Sequence, residues 1–130
     1  MDKLVIYTDG GSRNNPGPAA IGVVIQGVGG KGYGVMEYSE YIGVKTNNEA
    51  EYQAVIFALK KVKHLLGKKK TKATGIEIRL DSELVGKQLA GKFKLKEKSL
   101  FPLFVEIWNL RQDFAELEFK IVPREKNRIA

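Results

Sequence analysis

The chain contains no cysteine and no long hydrophobic run, and each absence excludes a class of protein. Without cysteine, disulfides and thiolate metal sites are ruled out among its 130 residues. A metal would have to be held by oxygen ligands or by His64, the single histidine, and this favours hard cations such as Mg²⁺. No stretch reaches the roughly 18 apolar residues of a membrane span, and the first residues lack the features of a secretion signal. We therefore expect a soluble, cytoplasmic protein with no membrane partner.

Acidic residues are fewer than basic ones, 15 against 22, so the formal net charge is +7. A basic surface favours a polyanionic partner because binding releases counterions from phosphate backbones. The length and the 43% apolar content suit one globular domain over residues 1–130. Lysines cluster at 60–63, 68–72 and 92–98, and we expect the first two clusters to solvate a helix end and the loop after it.

Hydrophobic periodicity and turn residues predict an α/β protein. Strands are predicted at 4–8, 19–26, 33–42, 75–80 and 116–122, with a hairpin turn at 27–30. Helices are predicted at 46–66, from a cap at Ser82 to about Gly91, and at 100–114. This order implies a five-stranded mixed sheet, with three antiparallel strands followed by two parallel strands, flanked by helices. Ligands of such sheets bind beyond the carboxyl ends of the parallel strands.

Two predicted strands end in an aspartate at that edge. Asp9 closes the first apolar run and precedes a turn rich in glycine and asparagine, and Asp81 follows the fourth strand. A buried and unpaired carboxylate costs several kcal/mol. The pattern therefore predicts that a cation or a hydrogen-bond network meets Asp9 and Asp81.

The helix beginning near Thr46 offers two further carboxylates, and helical geometry distinguishes them. Thr46 and Glu49 have the spacing of a capping box, which gives Glu49 a structural role. Glu51 instead lies on the apolar stripe that faces the sheet, together with Ala54, Val55, Ala58 and Leu59. An inward-facing glutamate needs a cation nearby, so we expect Glu51 to complete a three-carboxylate cluster with Asp9 and Asp81.

These motifs resemble those of type 1 ribonuclease H over nearly the whole chain. The segment 7–18 is similar to the family's first catalytic motif, 46–52 to its second, 80–82 to its third, and 122–130 to the start of its fourth in a short archaeal and bacterial form. The order and residue types of the four segments together are specific to this family.

The resemblance implies an endonuclease that hydrolyses the RNA strand of RNA/DNA hybrids with two Mg²⁺ or Mn²⁺ ions. It makes Asp9 the ligand shared by both ions and gives further ligand roles to Glu51 and Asp81. It leaves open whether double-stranded RNA is also a partner, and it indicates no protein partner. The expected contacts to the hybrid come from Gly10, Gly11, Ser12, Asn15, Thr46, Asn47 and Asn48.

Two departures from the family pattern concern the end of the chain. The family's fourth carboxylate would follow Ala130, where this sequence stops, so the sequence as given lacks that ligand and the C-terminal helix. Either the sequence stops short of this ligand or the protein lacks it. A chain that ends at Ala130 is expected to bind the second ion weakly and to turn over slowly. Many members carry a flexible histidine where this chain has Arg124. We expect Arg124 to hold a phosphate or the leaving oxygen, and the alternative is an arginine lying along the sheet edge.

The loop at 92–98 leaves two interpretations open. Lys94 and Lys96 alternate with Phe93 and Leu95, so the lysines are expected to face a phosphate track while the apolar residues pack inward. The alternative is a solvated connector.

Two other functions compete with the nuclease. One is a hybrid-binding module with weakened catalysis, suggested by the missing fourth carboxylate. The other is a small-ligand receptor whose glycine turn holds an anion, which would leave Glu51 and Asp81 without a purpose.

Overall fold

The structure is a computed structural model that describes residues 2–27 and 34–127. The strands are β1 (Asp2–Ser12), β2 (Gly17–Gly27), β3 (Val35–Lys45), β4 (Thr74–Leu80) and β5 (Glu116–Ile121), and the helices are α1 (Asn47–Lys72), α2 (Glu83–Leu89) and α3 (Phe101–Arg111). Short 3-10 turns lie at Lys98–Leu100 and Arg124–Lys126. The predicted hairpin turn after Gly27 and the predicted start of the third strand at 33 lie outside the described residues.

The five strands form one mixed sheet in the order β3-β2-β1-β4-β5. The pairs β1–β2 and β2–β3 are antiparallel, and the pairs β1–β4 and β4–β5 are parallel. The predicted fold class and strand directions are therefore confirmed. Parallel pairing between β1 and β4 ends at Tyr7 and Arg79, whereas β1 continues against β2 as far as Ser12. Beyond Tyr7, β1 and β4 are free to separate.

Helix α1 crosses the sheet and supplies most of the helical side of the core. Its cap is as predicted, because the Thr46 hydroxyl accepts from the Glu49 N–H at 3.1 Å while a Glu49 carboxylate oxygen accepts from the Thr46 N–H at 2.8 Å. The predicted inward face of the helix is also confirmed. Glu51 is buried, and so are the four apolar residues predicted to share its face, which are Ala54, Val55, Ala58 and Leu59. The capping box thus sets the helical phase that turns Glu51 towards the sheet.

The predicted end of the helix near Leu66 coincides with a break in α1, but the helical turn that follows was not predicted. Gly67 interrupts the helix with a φ of 78°, but the chain resumes helical geometry and continues to Lys72. The Thr71 hydroxyl, buried in the core, donates to the Gly67 carbonyl at 2.7 Å, and lysines suit the negative end of the helix dipole. The lysine cluster at 68–72 is therefore a helical turn rather than a loop.

The remaining boundaries differ from the predictions by a few residues. Strand β1 extends past Asp9 because residues 10–12 pair with β2, so Asp9 lies within the strand rather than at its end. Trp108 shares the helical spacing of the core residues of α3, yet it is 54% exposed and lies beside the Arg111 guanidinium. Among the described residues, no helix is long and apolar enough to cross a membrane.

Candidate active site

Three carboxylates that are far apart in the sequence meet at one edge of the sheet. Asp9 comes from β1, Glu51 from the second turn of α1, and Asp81 from the residue after β4. One oxygen from each lies within 4.8 Å of the others. The predicted cluster of Asp9, Glu51 and Asp81 is thus present.

Gly10 brings α1 close enough to β1 for this convergence. A Cβ atom at Gly10 would lie 2.2 Å from the Ala50 carbonyl oxygen and 2.7 Å from the Glu51 nitrogen. With glycine there, the Gly10 N–H donates to Glu51 Oε1 at 2.8 Å. This contact fixes one carboxylate oxygen of Glu51 beside the strand that carries Asp9.

The cluster holds more negative charge than the protein neutralises. At an effective dielectric of about 20, two charges 4.8 Å apart repel by roughly 3 kcal/mol. Burial raises the pKa of Glu51 to about 8. The hydrogen bond from the Gly10 N–H lowers this pKa, whereas the charges of Asp9 and Asp81 raise it further. Burial also raises the pKa of Asp9, with a further contribution from Asp81. Ionising all three carboxylates therefore requires a positive partner.

The donor set fits hard divalent cations. All three side chains offer carboxylate oxygens, the ligands that Mg²⁺ and Mn²⁺ prefer, and the chain has no cysteine thiolate that would favour a softer metal. The nearby cation among the described residues is Arg124, whose Nη1 lies 3.9 Å from Asp81 Oδ1 while 81% of its side chain is exposed. Such an exposed and long ion pair is screened by water and does little to offset the charge.

Asp81 has a second, buried partner that sequence reasoning missed. Asn127 Nδ2 donates to Asp81 Oδ2 at 3.1 Å and to the Thr8 carbonyl oxygen at 3.1 Å. Asn127 is only 8% exposed. It stood within the fourth motif, but the sequence offered no sign that its amide reaches across to β1 and β4. Residues 128–130, at the end of that motif, lie outside the described residues.

The turn after β1 is joined to the start of α1 through asparagine side chains. Asn47 Oδ1 accepts from the Ser12 N–H at 2.8 Å and from the Ser12 hydroxyl at 3.1 Å. Asn15 Oδ1 accepts from the Asn47 N–H at 2.9 Å. The side-chain carbonyl oxygens of Asn15 and Asn47 therefore link the turn after β1 to the start of α1. Their amide N–H groups can serve a ligand.

The other predicted contact residues of the turn and helix start have structural roles too. The Thr46 side chain caps α1, and Gly10 packs against the backbone of α1. Gly11 leaves more room, because a Cβ there would meet only Asn47 Oδ1 at 3.8 Å. Whether these residues also touch a substrate stays a prediction.

The basic loop at 92–98 lies beside the helix start. Glu97 accepts from Asn48 Nδ2 at 3.3 Å, which ties the loop to α1. Lys94 and Lys96 are exposed and help to line a groove of about 510 Å³ between the loop and α2. Leu95 packs on the core as predicted, but the prediction for Phe93 is wrong. Phe93 is 45% exposed and carries the Lys87 ammonium at 5.1 Å from its ring centre.

Comparisons with known proteins agree with this geometry. A protein-family model described as "Reverse transcriptase-like" matches residues 7–130. The crystal structure of LC11-RNase H1 in complex with an RNA/DNA hybrid has a TM-score of 0.86 and 43% identity, covering 98% of this chain and 90% of that one. The chain belongs to the type 1 ribonuclease H family. The resemblance inferred from the sequence motifs is therefore confirmed.

Curated relatives extend this ribonuclease H assignment. The ribonuclease HI of Halobacterium salinarum is 40% identical over 124 residues, which cover 95% of this chain and 58% of that protein. The bifunctional protein Rv2228c of Mycobacterium tuberculosis is 37% identical over 128 residues, 98% of this chain and 33% of that protein. This ribonuclease H chain thus spans a third of the mycobacterial relative and just over half of the halobacterial one.

Proposed function

We propose that this ribonuclease H chain hydrolyses the RNA strand of RNA/DNA hybrids. The observation that carries the proposal is the meeting of Asp9, Glu51 and Asp81 with carboxylate oxygens within 4.8 Å of one another. The relative crystallised with an RNA/DNA hybrid supports the choice of substrate. In the reaction, a water oxygen bonds to the scissile phosphorus, the bond to the 3′ oxygen breaks, and the products carry a 5′-phosphate and a 3′-hydroxyl.

The carboxylates of this chain would hold two divalent ions, Mg²⁺ or Mn²⁺. When bound, such ions activate the attacking water and neutralise the leaving oxygen, so no protein nucleophile is needed. Asp9, which lies on the central strand, would hold these ions together with Glu51 and Asp81. The Gly10 N–H orients the Glu51 carboxylate through its 2.8 Å hydrogen bond.

The surface around the carboxylates is suited to holding the hybrid. Ser12, Asn15 and Asn47 form a connected polar rim, and short amides of this kind can contact 2′-hydroxyls and phosphates. Lys94 and Lys96 would meet phosphates on the side of α2. Arg124 is exposed near Asp81 and is placed to hold a phosphate or the leaving oxygen electrostatically.

Cleavage of matched labelled duplexes tests the proposal. We expect Mg²⁺- or Mn²⁺-dependent cutting of the RNA strand in the hybrid and no cutting of duplex DNA. Duplex RNA shows how far the selectivity extends. Asp9→Asn and Asp81→Asn should each lower kcat more than roughly a hundredfold, since losing even a residue behind a metal ligand can cost that much.

The matched control is Asp113→Asn, because Asp113 pairs with Lys63 at 2.6 Å instead of joining the cluster. It should keep full activity. Binding of the hybrid without ion-dependent cleavage would refute the proposal and favour a binding module. Displacement of the hybrid by mononucleotides would favour a small-ligand receptor.

A further inference from the structure

Asn127 connects the ends of two strands that carry cluster carboxylates. It follows the 3-10 turn after β5 and is buried, and its amide nitrogen donates to both Thr8 O and Asp81 Oδ2 at 3.1 Å. A primary amide carries two hydrogens, so one side chain serves both acceptors. One acceptor directly precedes Asp9 in β1, and the other belongs to Asp81 itself.

The two hydrogen bonds of Asn127 lie beyond the last paired residues of β1 and β4. Pairing between β1 and β4 ends at Tyr7 and Arg79, and Asp81 lies beyond the last residue of β4. Backbone hydrogen bonds between these strands therefore do not fix the distance from Asp9 to Asp81. The Asn127 amide joins the two strand ends directly.

We propose that Asn127 is a positioning residue that orients the Asp81 carboxylate for ion binding, an inference that rests on the proposed function. It holds Asp81 Oδ2 and restricts rotation of the carboxylate before an ion arrives. The amide is neutral, so it orders Asp81 without cancelling the charge that attracts a cation. The Arg124 guanidinium, 3.9 Å from the other oxygen and largely exposed, supplies charge but little constraint.

Calorimetric titration of the substrate-free protein with Mn²⁺ measures this role without catalysis. Asn127→Ala should weaken Mn²⁺ binding about ten- to a hundredfold, as expected when the partner behind a ligand is removed. In hybrid cleavage, kcat should fall by a similar factor while KM at saturating ion changes less than about threefold. Asn109→Ala makes the same chemical change at an exposed position of α3 and should alter neither quantity.

Asn127→Ala also leaves the Thr8 carbonyl without this donor, so a second variant guards against loss of folding. Asn127→Ser keeps a small polar side chain with one hydrogen, which can serve only one of the two acceptors. It should fold and still bind Mn²⁺ more weakly than the unchanged protein.

Two outcomes separate this inference from the proposed function. If the unchanged protein cleaves hybrids and both variants bind Mn²⁺ with unchanged affinity, Asn127 is merely structural and the inference is overturned, even if the melting temperature drops. If Mn²⁺ binding weakens in both variants but the unchanged protein cleaves no hybrid, the positioning role stands and the proposed function fails.

Discussion

Glu51 shows how a single side chain links folding to ion binding. It is 7% exposed and shares its surroundings with two other carboxylates, so its ionised form is unfavourable without a cation. Its pKa is raised from 4.5 to about 8. Between those values the unfolded chain releases a proton that the folded protein keeps. The free energy of unfolding should therefore fall as pH rises through this range.

In a buffer that chelates divalent ions, Glu51→Gln should remove this decrease in the free energy of unfolding with rising pH. The variant keeps an Oε1 atom to accept from the Gly10 N–H but has no charge to bury, so above pH 8 it should be more stable than the unchanged protein. Urea denaturation from pH 4.5 to 9 measures the effect. Added Mn²⁺ should reduce the difference, because ions stabilise only the protein that binds them.

Glu49→Gln is the matched control for this pH experiment. It makes the same change in the first turn of α1, where an oxygen still accepts from the Thr46 N–H, and should preserve the pH dependence. Parallel stability curves for Glu51→Gln and the unchanged protein would contradict the burial argument.

Gly10 and Gly11 are neighbours with different tolerance for a methyl group. Alanine at Gly10 would place Cβ 2.2 Å from a backbone oxygen of α1, and backbone cannot move aside as a flexible side chain can. Gly10→Ala should therefore lower the free energy of unfolding by about 1–3 kcal/mol and displace Glu51. Gly11→Ala should cost far less, since its nearest neighbour is 3.8 Å away. Equal unfolding free energies in chemical denaturation would show that the close approach is absent.

At the scale of elements, the loop at 92–98 and the start of α1 form one surface. The Asn48–Glu97 hydrogen bond connects them, and the exposed Lys94 and Lys96 line one groove together with Glu97. If both lysines contact phosphates, the salt dependence of hybrid binding should show these contacts. Each contact contributes about 0.9 to the slope of log affinity against log salt concentration.

Reversing the charges of Lys94 and Lys96 to glutamate should raise KM and flatten this slope by about one to two units. Lys69→Glu with Lys72→Glu is the matched control, since it makes the same charge change at the far end of α1, more than roughly 20 Å along the helix from Glu51. A slope equally flattened in both variants would point to net charge alone and reject a phosphate track.

Element types were predictable from the sequence, whereas several ends and faces were not. The capping box and the apolar stripe are local patterns, so the start of α1 and the direction of Glu51 follow from spacing. The helical turn at 68–72 depends on Thr71 reaching the core, which no local pattern reveals. Trp108 has the spacing of a core residue, but the inward face of α3 is filled by Ile107 and Leu110 instead.

The whole molecule is organised around β1. This strand pairs with β2 on one side and β4 on the other and lies under α1, whereas β3 is an edge strand whose residues are all at least partly exposed. Local opening is easiest where few apolar contacts are lost. Native-state hydrogen exchange should therefore show amides of β1 and β4 exchanging more slowly than those of β3. Equal protection of β3 and β1 would indicate that the sheet opens only as a unit.

Spacing along the chain was enough to name the strands, the capped helix, the three carboxylates and the family, because each depends on residues close together or on motifs in order. The Asn127 bridge, the close approach at Gly10 and the tie between Asn48 and Glu97 emerged only in three dimensions. Each of these contacts joins positions at least 40 residues apart. Their formation depends on how the sheet and helices pack, and packing leaves no periodic signature in the sequence.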